Sequence, residues 1–328
     1  MNQRKLFASS KFWVFLMLVG CIQATHVHAQ GYPNRAIRLV VPVAAGGLAD
    51  TMARLTSEFL GERLKVPVTV ENKGGGGYII GTETVVRAPP DGYTLLHTTP
   101  GGLDIMPSPA KLPYDPEKDL IPIAKLASAP AVIAVPTRLN VNSVAEFIAL
   151  ARAQPGKLTF ASSGIANVTH FAGELFRLRT GISILHVPYK GSAAGISDAI
   201  AGRIDMVFVG TTNIVSHMNA GTMRPIAIMT RKRASNLPNV PTTPELGYPD
   251  MIVDSWLAVF APAGTPQDIV RKLAKELSDM ANSPQYAERI IRLGSEVSLD
   301  VLEDFSKVLR AERQLWRSVA RDANIKFD

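Results

Sequence analysis

Apolar runs of strand length alternate along this chain with stretches of helical period. Residues 37–43 (IRLVVPV) form a nearly continuous apolar run, the pattern of a buried strand. Ala44-Ala45-Gly46-Gly47 follow as a turn, and Leu48–Leu64 then places Met52, Leu55 and Phe59 at helical spacing. Residues 66–71 alternate as a strand, Asn72 to Gly77 form a flexible turn, 78–87 a short helix and 93–97 a strand entered from Asp91-Gly92. Residues 99–122 hold six prolines and no clear period, which predicts a long loop of the kind that often carries function.

The second half repeats the alternation. A strand is expected at 131–135, then a helix at 143–154 with Ser143 and Glu146 as a capping box and Pro155-Gly156 as its stop. Strands at 157–161, 182–187, 204–209 and 224–229 are separated by helices. These helices begin at Asn167 or Thr169, at Ser192 and at Thr212. Pro238, Pro241, Pro244 and Pro249 mark an ordered connection before a strand at 255–260 and helices from Thr265-Pro266, at 284–293 and at 302–323. The pattern predicts an α/β fold with largely parallel sheets. Boundaries are expected near 130 and 253: residues 30–130 plus 254–328 as one lobe, 131–253 as the other, with two crossings as a hinge.

The strand–turn–helix junction at Ala44 to Gly47 has a chemical consequence. The first N–H groups of a helix have no intrahelical acceptor, and the helix dipole adds positive potential there, so the junction favours an anion. The arrangement recurs at Thr159 to Gly164, where Ser162 and Ser163 add hydroxyls. Two cradles suggest one ligand gripped from both sides.

The first 29 residues change the charge and cysteine counts. Arg4, Lys5 and Lys11 precede an uncharged, mostly apolar run from Phe12 to Ile22, and Val27-His28-Ala29 offers a cleavage site before Gln30. This is the pattern of a secretory signal peptide, and the apolar run is too short to span a bilayer as a helix. Leu18-Val19-Gly20-Cys21 also resembles a lipobox, which would make a lipidated Cys21 the mature N-terminus. Either route takes the product out of the cytoplasm. Without the leader, 32 basic residues face 28 acidic ones, a net charge of +4 rather than +7. No nucleic-acid partner is implied. Cys21 is the only cysteine, so cleavage after Ala29 leaves no disulfide, thiol or thiolate metal site.

Other chemistries fit less well. Gly74 to Gly81 (GGGGYIIG) lacks G-x-G-x-x-G, and Thr82 stands where a phosphate-binding loop needs lysine. The plainer expectation is a close backbone approach. Ser163 with His170 is the alternative, a secreted Ser/His hydrolase, but no G-x-S-x-G surrounds the serine. His170 and Glu174 have metal-ligand spacing, yet no H-E-x-x-H or second pair accompanies them, and a hydrogen-bonding His170 near the crevice is expected instead. Asp50 suits the positive helix start and is expected to be structural. No cofactor or metal is expected.

Several ordered segments carry a family resemblance. They include Ile37 to Pro42 with Gly46, Gly47 and Asp50; Val70-Glu71-Asn72; Asp91 to Leu96; Leu112 to Pro116; His186-Val187-Pro188-Tyr189-Lys190-Gly191; Pro238 to Thr242; and Ala261 to Pro266. From about Tyr32 to its end the chain resembles the periplasmic solute receptors of tripartite tricarboxylate transporters, the Bug-type binding proteins. The resemblance implies a two-lobed type II periplasmic binding-protein fold whose cleft closes on a small carboxylate: a di- or tricarboxylate, an acidic amino acid or an aromatic acid. It implies no catalysis. Carried over, the ligand positions are Ala44, Ala45, Gly46, Gly47, Thr98 and Thr99 in the first lobe. In the second they are Ser162, Ser163, Gly164, Thr169, His170, Gly210 and Thr211. The implied partners are the transporter's membrane subunits or a sensor kinase. This chain departs from the family pattern at Ile165-Ala166-Asn167-Val168, which adds apolar bulk and the Asn167 amide near the ligand. It also has Met106-Pro107 where Asn-Pro is usual, and Gly191 to Gly195 lacks the usual proline.

Overall fold

Strand β1 (Ile37–Val41) buries all but one of its residues, as its apolar run requires, and pairs in parallel with both β2 (Val68–Asn72) and β3 (Thr94–Thr98). Helices α1 (Leu48–Leu64) and α2 (Ile79–Val86) make the crossovers. The computed structural model describes residues 31–76, 78–103, 112–165 and 167–325. The expected signal segment with Cys21, and Met106-Pro107, lie outside them. A short N-terminal unit ends at Asn34, and every element named here belongs to one compact unit from Arg35 onward.

After α3 (Pro116–Asp119), strand β4 (Leu120–Ser128) runs through part of the expected loop. The chain then builds a second sheet from β5 (Ala131–Pro136), β6 (Thr159–Ser162), β7 (Leu185–Pro188), β8 (Met206–Gly210) and β9 (Met223–Ile228). Between them lie α4 (Val144–Ala153), α5 (Val168–Thr180), α6 (Ser192–Ile200) and the short α7 (Val215–Asn219). Ser143 caps α4 as its sequence predicts, accepting from the Glu146 N–H at 3.2 Å, while the Glu146 carboxylate reaches back to the Asn142 N–H. Strand β10 (Leu257–Pro262) returns to the first sheet, followed by α8 (Gln267–Ala281), α9 (Pro284–Arg292), β11 (Glu296–Val301) and α10 (Leu302–Asp322). The strand orders are β11-β4-β10-β3-β1-β2 and β7-β6-β8-β5-β9.

Both sheets are mixed rather than largely parallel. Strand β10 is antiparallel to β3 and β4, β11 to β4, and β5 to both β8 and β9. The cause is the crossing between sheets. The outgoing and returning segments lie side by side, with an antiparallel bridge between Pro130 and Asp254 and paired bonds between Ala129 and Ser255, so β4 and β10 must run in opposite senses.

Apolar packing joins the two sheets. One buried cluster contains Val40 and Leu96 of the first, Ile133, Phe160 and Phe208 of the second, and Trp256, Phe305 and Trp316 between them. Helix α10 spans the join. Its Phe305 ring meets Trp256 edge-on at 5.5 Å, and one end of Trp316 meets Phe171 of α5 at 5.6 Å. Helices α8 and α9 pack back on α1 through Arg63 with Glu276 and Asp279, and through Phe59 with Tyr286.

Candidate functional site

The predicted positions gather at strand C-termini. Ala44 to Gly47 leave β1, and Thr98-Thr99 leave the neighbouring β3. Ser162 to Gly164 leave β6, and Gly210-Thr211 leave the neighbouring β8. Because β1 and β3 are parallel, as are β6 and β8, each pair of turns shares one sheet edge, the usual place for ligands in α/β sheets.

In the first turn Ala44 to Gly47 are exposed, and Gly47 is the N-cap of α1 with no side-chain cap of its own. Asp50 instead turns back onto the loop before the cap. Its Oδ2 accepts the Gly46 N–H at 2.9 Å and Arg54 Nε at 3.1 Å, and Arg54 also reaches Asn72. The Arg54 guanidinium holds the Asp50 carboxyl below the usual carboxylate range against the opposing effect of burial, with the Gly46 N–H helping. A carboxylate thus already sits on this turn, its charge balanced by Arg54. Helix geometry leaves the N–H groups of Leu48 and Ala49 without intrahelical acceptors. The β2–α2 turn packs beneath: a methyl group at Gly74 would stand 3.0 Å from the Ala44 nitrogen, the close backbone approach expected of that glycine run. Thr98 is buried and Thr99 half-buried beside it.

The second turn is held by its own side chains. Asn167 is the N-cap of α5, accepting the Thr169 N–H at 2.9 Å. The Ser163 hydroxyl bonds Asn167 Oδ1 at 3.1 Å and Thr169 Oγ1 at 2.8 Å, and the Ser163 N–H donates to Thr169 Oγ1. Ser162 lies buried beneath, its hydroxyl 2.7 Å from His186 Nε2 and 3.1 Å from the Gly164 carbonyl. His170 is buried too, its ring stacked on His186 at 3.9 Å and 10°. Burial pushes His170 down to about 4. Burial, then the neighbouring His170, pushes His186 to about 3, so both rings are neutral near pH 7.

His186, which the sequence offered only as the first residue of a family motif, lies beneath this turn. It reaches Ser162 because β7 pairs with β6, Phe160 facing His186 in register, a long-range pairing with no local signal. Gly210-Thr211 is placed by a different contact. Thr211 is buried, and its hydroxyl donates across the lobes to the Gly294 carbonyl at 2.9 Å. Ser235 makes a second crossing contact, its N–H and hydroxyl both donating to Glu296 Oε1. Leu293, next to Gly294, lines a pocket with Thr51 and Leu55 of α1, so the α9–β11 corner links the start of α1 to the end of β8.

The hydrolase pair does not come together as a nucleophile and its base. Ser163 bonds Asn167 and Thr169, while His170 stacks on His186. The serine that meets an imidazole is Ser162, and a base held near 3 accepts a proton from serine poorly. Glu174 bonds Arg177 Nε at 2.8 Å and lies 3.9 Å from His170. Among the described residues no group of three His, Cys, Asp or Glu side chains is placed to hold a metal ion.

The wall under the second turn is tightly packed at Gly173. A methyl group there would stand 2.1 Å from Phe160 Cε2, and that ring is fixed by His186 stacked at 4.9 Å and Phe208 edge-on at 5.5 Å. Gly173→Ala is expected to destabilise the protein by about 1–3 kcal/mol through overpacking. Urea unfolding reads this, and an unchanged midpoint would show that α5 moves freely.

Comparison with known proteins gives consistent matches. The family model described as tripartite tricarboxylate transporter family receptor matches residues 52–325. Protein BugT of Bordetella pertussis is 33% identical over 332 residues, with 100% of each chain covered. An R. palustris protein solved with adipate is 32% identical with a TM-score of 0.72, over 90% of this chain and 100% of that one. MatC from Rhodopseudomonas palustris, solved with bound malate, is 27% identical with a TM-score of 0.67, over 88% and 99%.

Proposed function

The chain belongs to the tripartite tricarboxylate transporter receptor family and is a solute-binding receptor. On that premise we propose that it captures a small carboxylate between its lobes in the periplasm and delivers it to the membrane subunits of such a transporter. The observation that carries this reading is the pair of strand-end turns, one in each sheet, each opening a helix: α1 after Gly47 and α5 after Asn167. The N–H groups of Leu48, Ala49 and Val168 have no intrahelical acceptors. These are neutral donors, which hold an anion without burying an unpaired cation. Adipate and malate in the two solved relatives support a carboxylate as the ligand class. Among the described residues no helix is long and apolar enough to cross a membrane, which suits a receptor that works beside its permease.

A bound ligand stabilises the folded form by mass action. At a hundred times its dissociation constant a cognate acid is expected to add about 2.7 kcal/mol. Thermal and urea unfolding against mono-, di- and tricarboxylates, acidic amino acids and aromatic acids would reveal it. No stabilisation by any member of that panel would overturn the carboxylate assignment.

A further inference from the structure

The loops that carry the two turns also display apolar side chains. Six large apolar residues are exposed among the described residues, and three of them stand on these loops: Leu48 at 38%, Ile80 at 52% and Ile165 at 49%. Leu48 is the first residue of α1, directly after Gly47. Ile80 is the second residue of α2 and folds back over the β2–α2 turn: a methyl group at Gly75 would stand 2.7 Å from its Cδ1. That turn in turn packs on Val43 and Ala44 through Gly74. Ile165 follows Gly164 in the turn before α5.

Charges on the same loops are engaged elsewhere. Arg54 is bound to Asp50, Lys73 lies 3.2 Å from Glu71, and Arg177 holds Glu174. Lys190 is exposed on the β7–α6 turn, beside the strand that carries the second cradle. A second carboxylate lying along Leu48, Ile80 and Ile165 would lose water without gaining a charged partner from those three residues. An apolar body there would instead cover exposed hydrocarbon.

We propose that the ligand is a monocarboxylate with an apolar body, its carboxylate held at the strand-end turns and its body against Leu48, Ile80 and Ile165. This rests on the receptor reading above. The matched test is hexanoate against adipate, which differ only in whether the far end is a methyl group or a second carboxylate, with phenylacetate and citrate as a second pair. Titration calorimetry on the mature chain is expected to show hexanoate and phenylacetate binding at least about 10-fold more tightly than adipate and citrate. Ile165→Asn and Ile80→Asn are expected to weaken hexanoate about 10-fold while leaving the urea midpoint in place, because both side chains are exposed. Adipate or citrate binding as tightly as its apolar partner would overturn the proposal, and weakening of that binding by Lys190→Ala would identify the second charge site. Unchanged hexanoate affinity in both isoleucine variants would also overturn it. If no acid of any kind binds, the carboxylate reading itself falls, and this proposal with it.

Discussion

Lys125→Met is expected to cost about 3–5 kcal/mol of stability at pH 7, because it leaves the largely covered Asp254 and the half-buried Asp300 without their cation. Lys125 is 7% exposed in β4, with Nζ 3.0 Å from Asp254 and 3.5 Å from Asp300. Burial opposes its charge, but Asp254, then Asp300 and Glu312, hold its pKa above the ordinary lysine value. Asp254 sits on the segment that returns from the second sheet to the first, where it also accepts the Ser128 hydroxyl at 2.5 Å. The ammonium therefore ties β4, the crossing and β11 together. Without it Asp254, Asp300 and Glu312 repel one another in a poorly hydrated place. Two features separate this from simple loss of packing. The deficit should shrink at pH 5, where carboxylates begin to take up protons, and Asp254→Asn should recover part of it in the Lys125→Met background. Urea unfolding at both pH values measures all three. A deficit below about 1 kcal/mol at pH 7 would mean that the cluster relaxes or is hydrated in ways its burial does not suggest.

The same lysine shows why parts of the fold were legible in the sequence and others were not. Leu48–Leu64 was read to its ends because a proline-free apolar stripe follows a double glycine. Ser143 is legible as a cap, and the start of α5 as Asn167 or Thr169, because that chemistry is local; the fold selects Asn167. Strand β4 was missed because Pro122 and Lys125 interrupt its apolar run, and nothing near Lys125 reveals that Asp254 and Asp300 neutralise it from 129 and 175 positions away. Strand β11 was missed because all six of its residues are half-buried at the sheet edge, so burial does not sharpen their alternation. At the site, both turns were visible as strand–glycine–helix junctions. The support beneath them was not. His186 against Ser162 and Thr211 against Gly294 are products of strand pairing and lobe contact, and only the fold brings them together.

Lowering the pH from 7 to 5 is expected to remove about 4 kcal/mol of stability, and the sign follows from four groups withdrawn from water: His97 and His170, which are buried, and His186 and Glu312, which are half-buried. Burial lowers His97 to about 4, His170 to about 4 and His186 to about 3, from 6.5 in each case. The unfolded chain takes up protons on these residues first, so their stabilisation is full above pH 6.5 and is lost as the pH falls toward 4. Each loses about 2 kcal/mol by pH 5. Glu312 works the other way. Burial raises it from 4.5 to about 7, against the Trp256 N–H that donates to its carboxylate at 2.8 Å. The folded chain binds that proton first, so stability from Glu312 grows as the pH falls through 7 toward 4.5, by about 2 kcal/mol at pH 5. Three histidines opposed by one carboxylate leave the net loss. Glu312→Gln isolates the opposing member, since an amide oxygen still accepts from Trp256 but does not titrate. Relative to the unchanged protein, the variant should gain about 2 kcal/mol between pH 5 and pH 8, and its own fall from pH 7 to 5 should steepen to about 6 kcal/mol. Urea unfolding from pH 5 to 8 at constant ionic strength tests both curves. Stability that stays level or rises toward pH 5 would mean that the stacked imidazoles or His97 are charged in the folded protein, and a variant curve parallel to the original would place Glu312 in water.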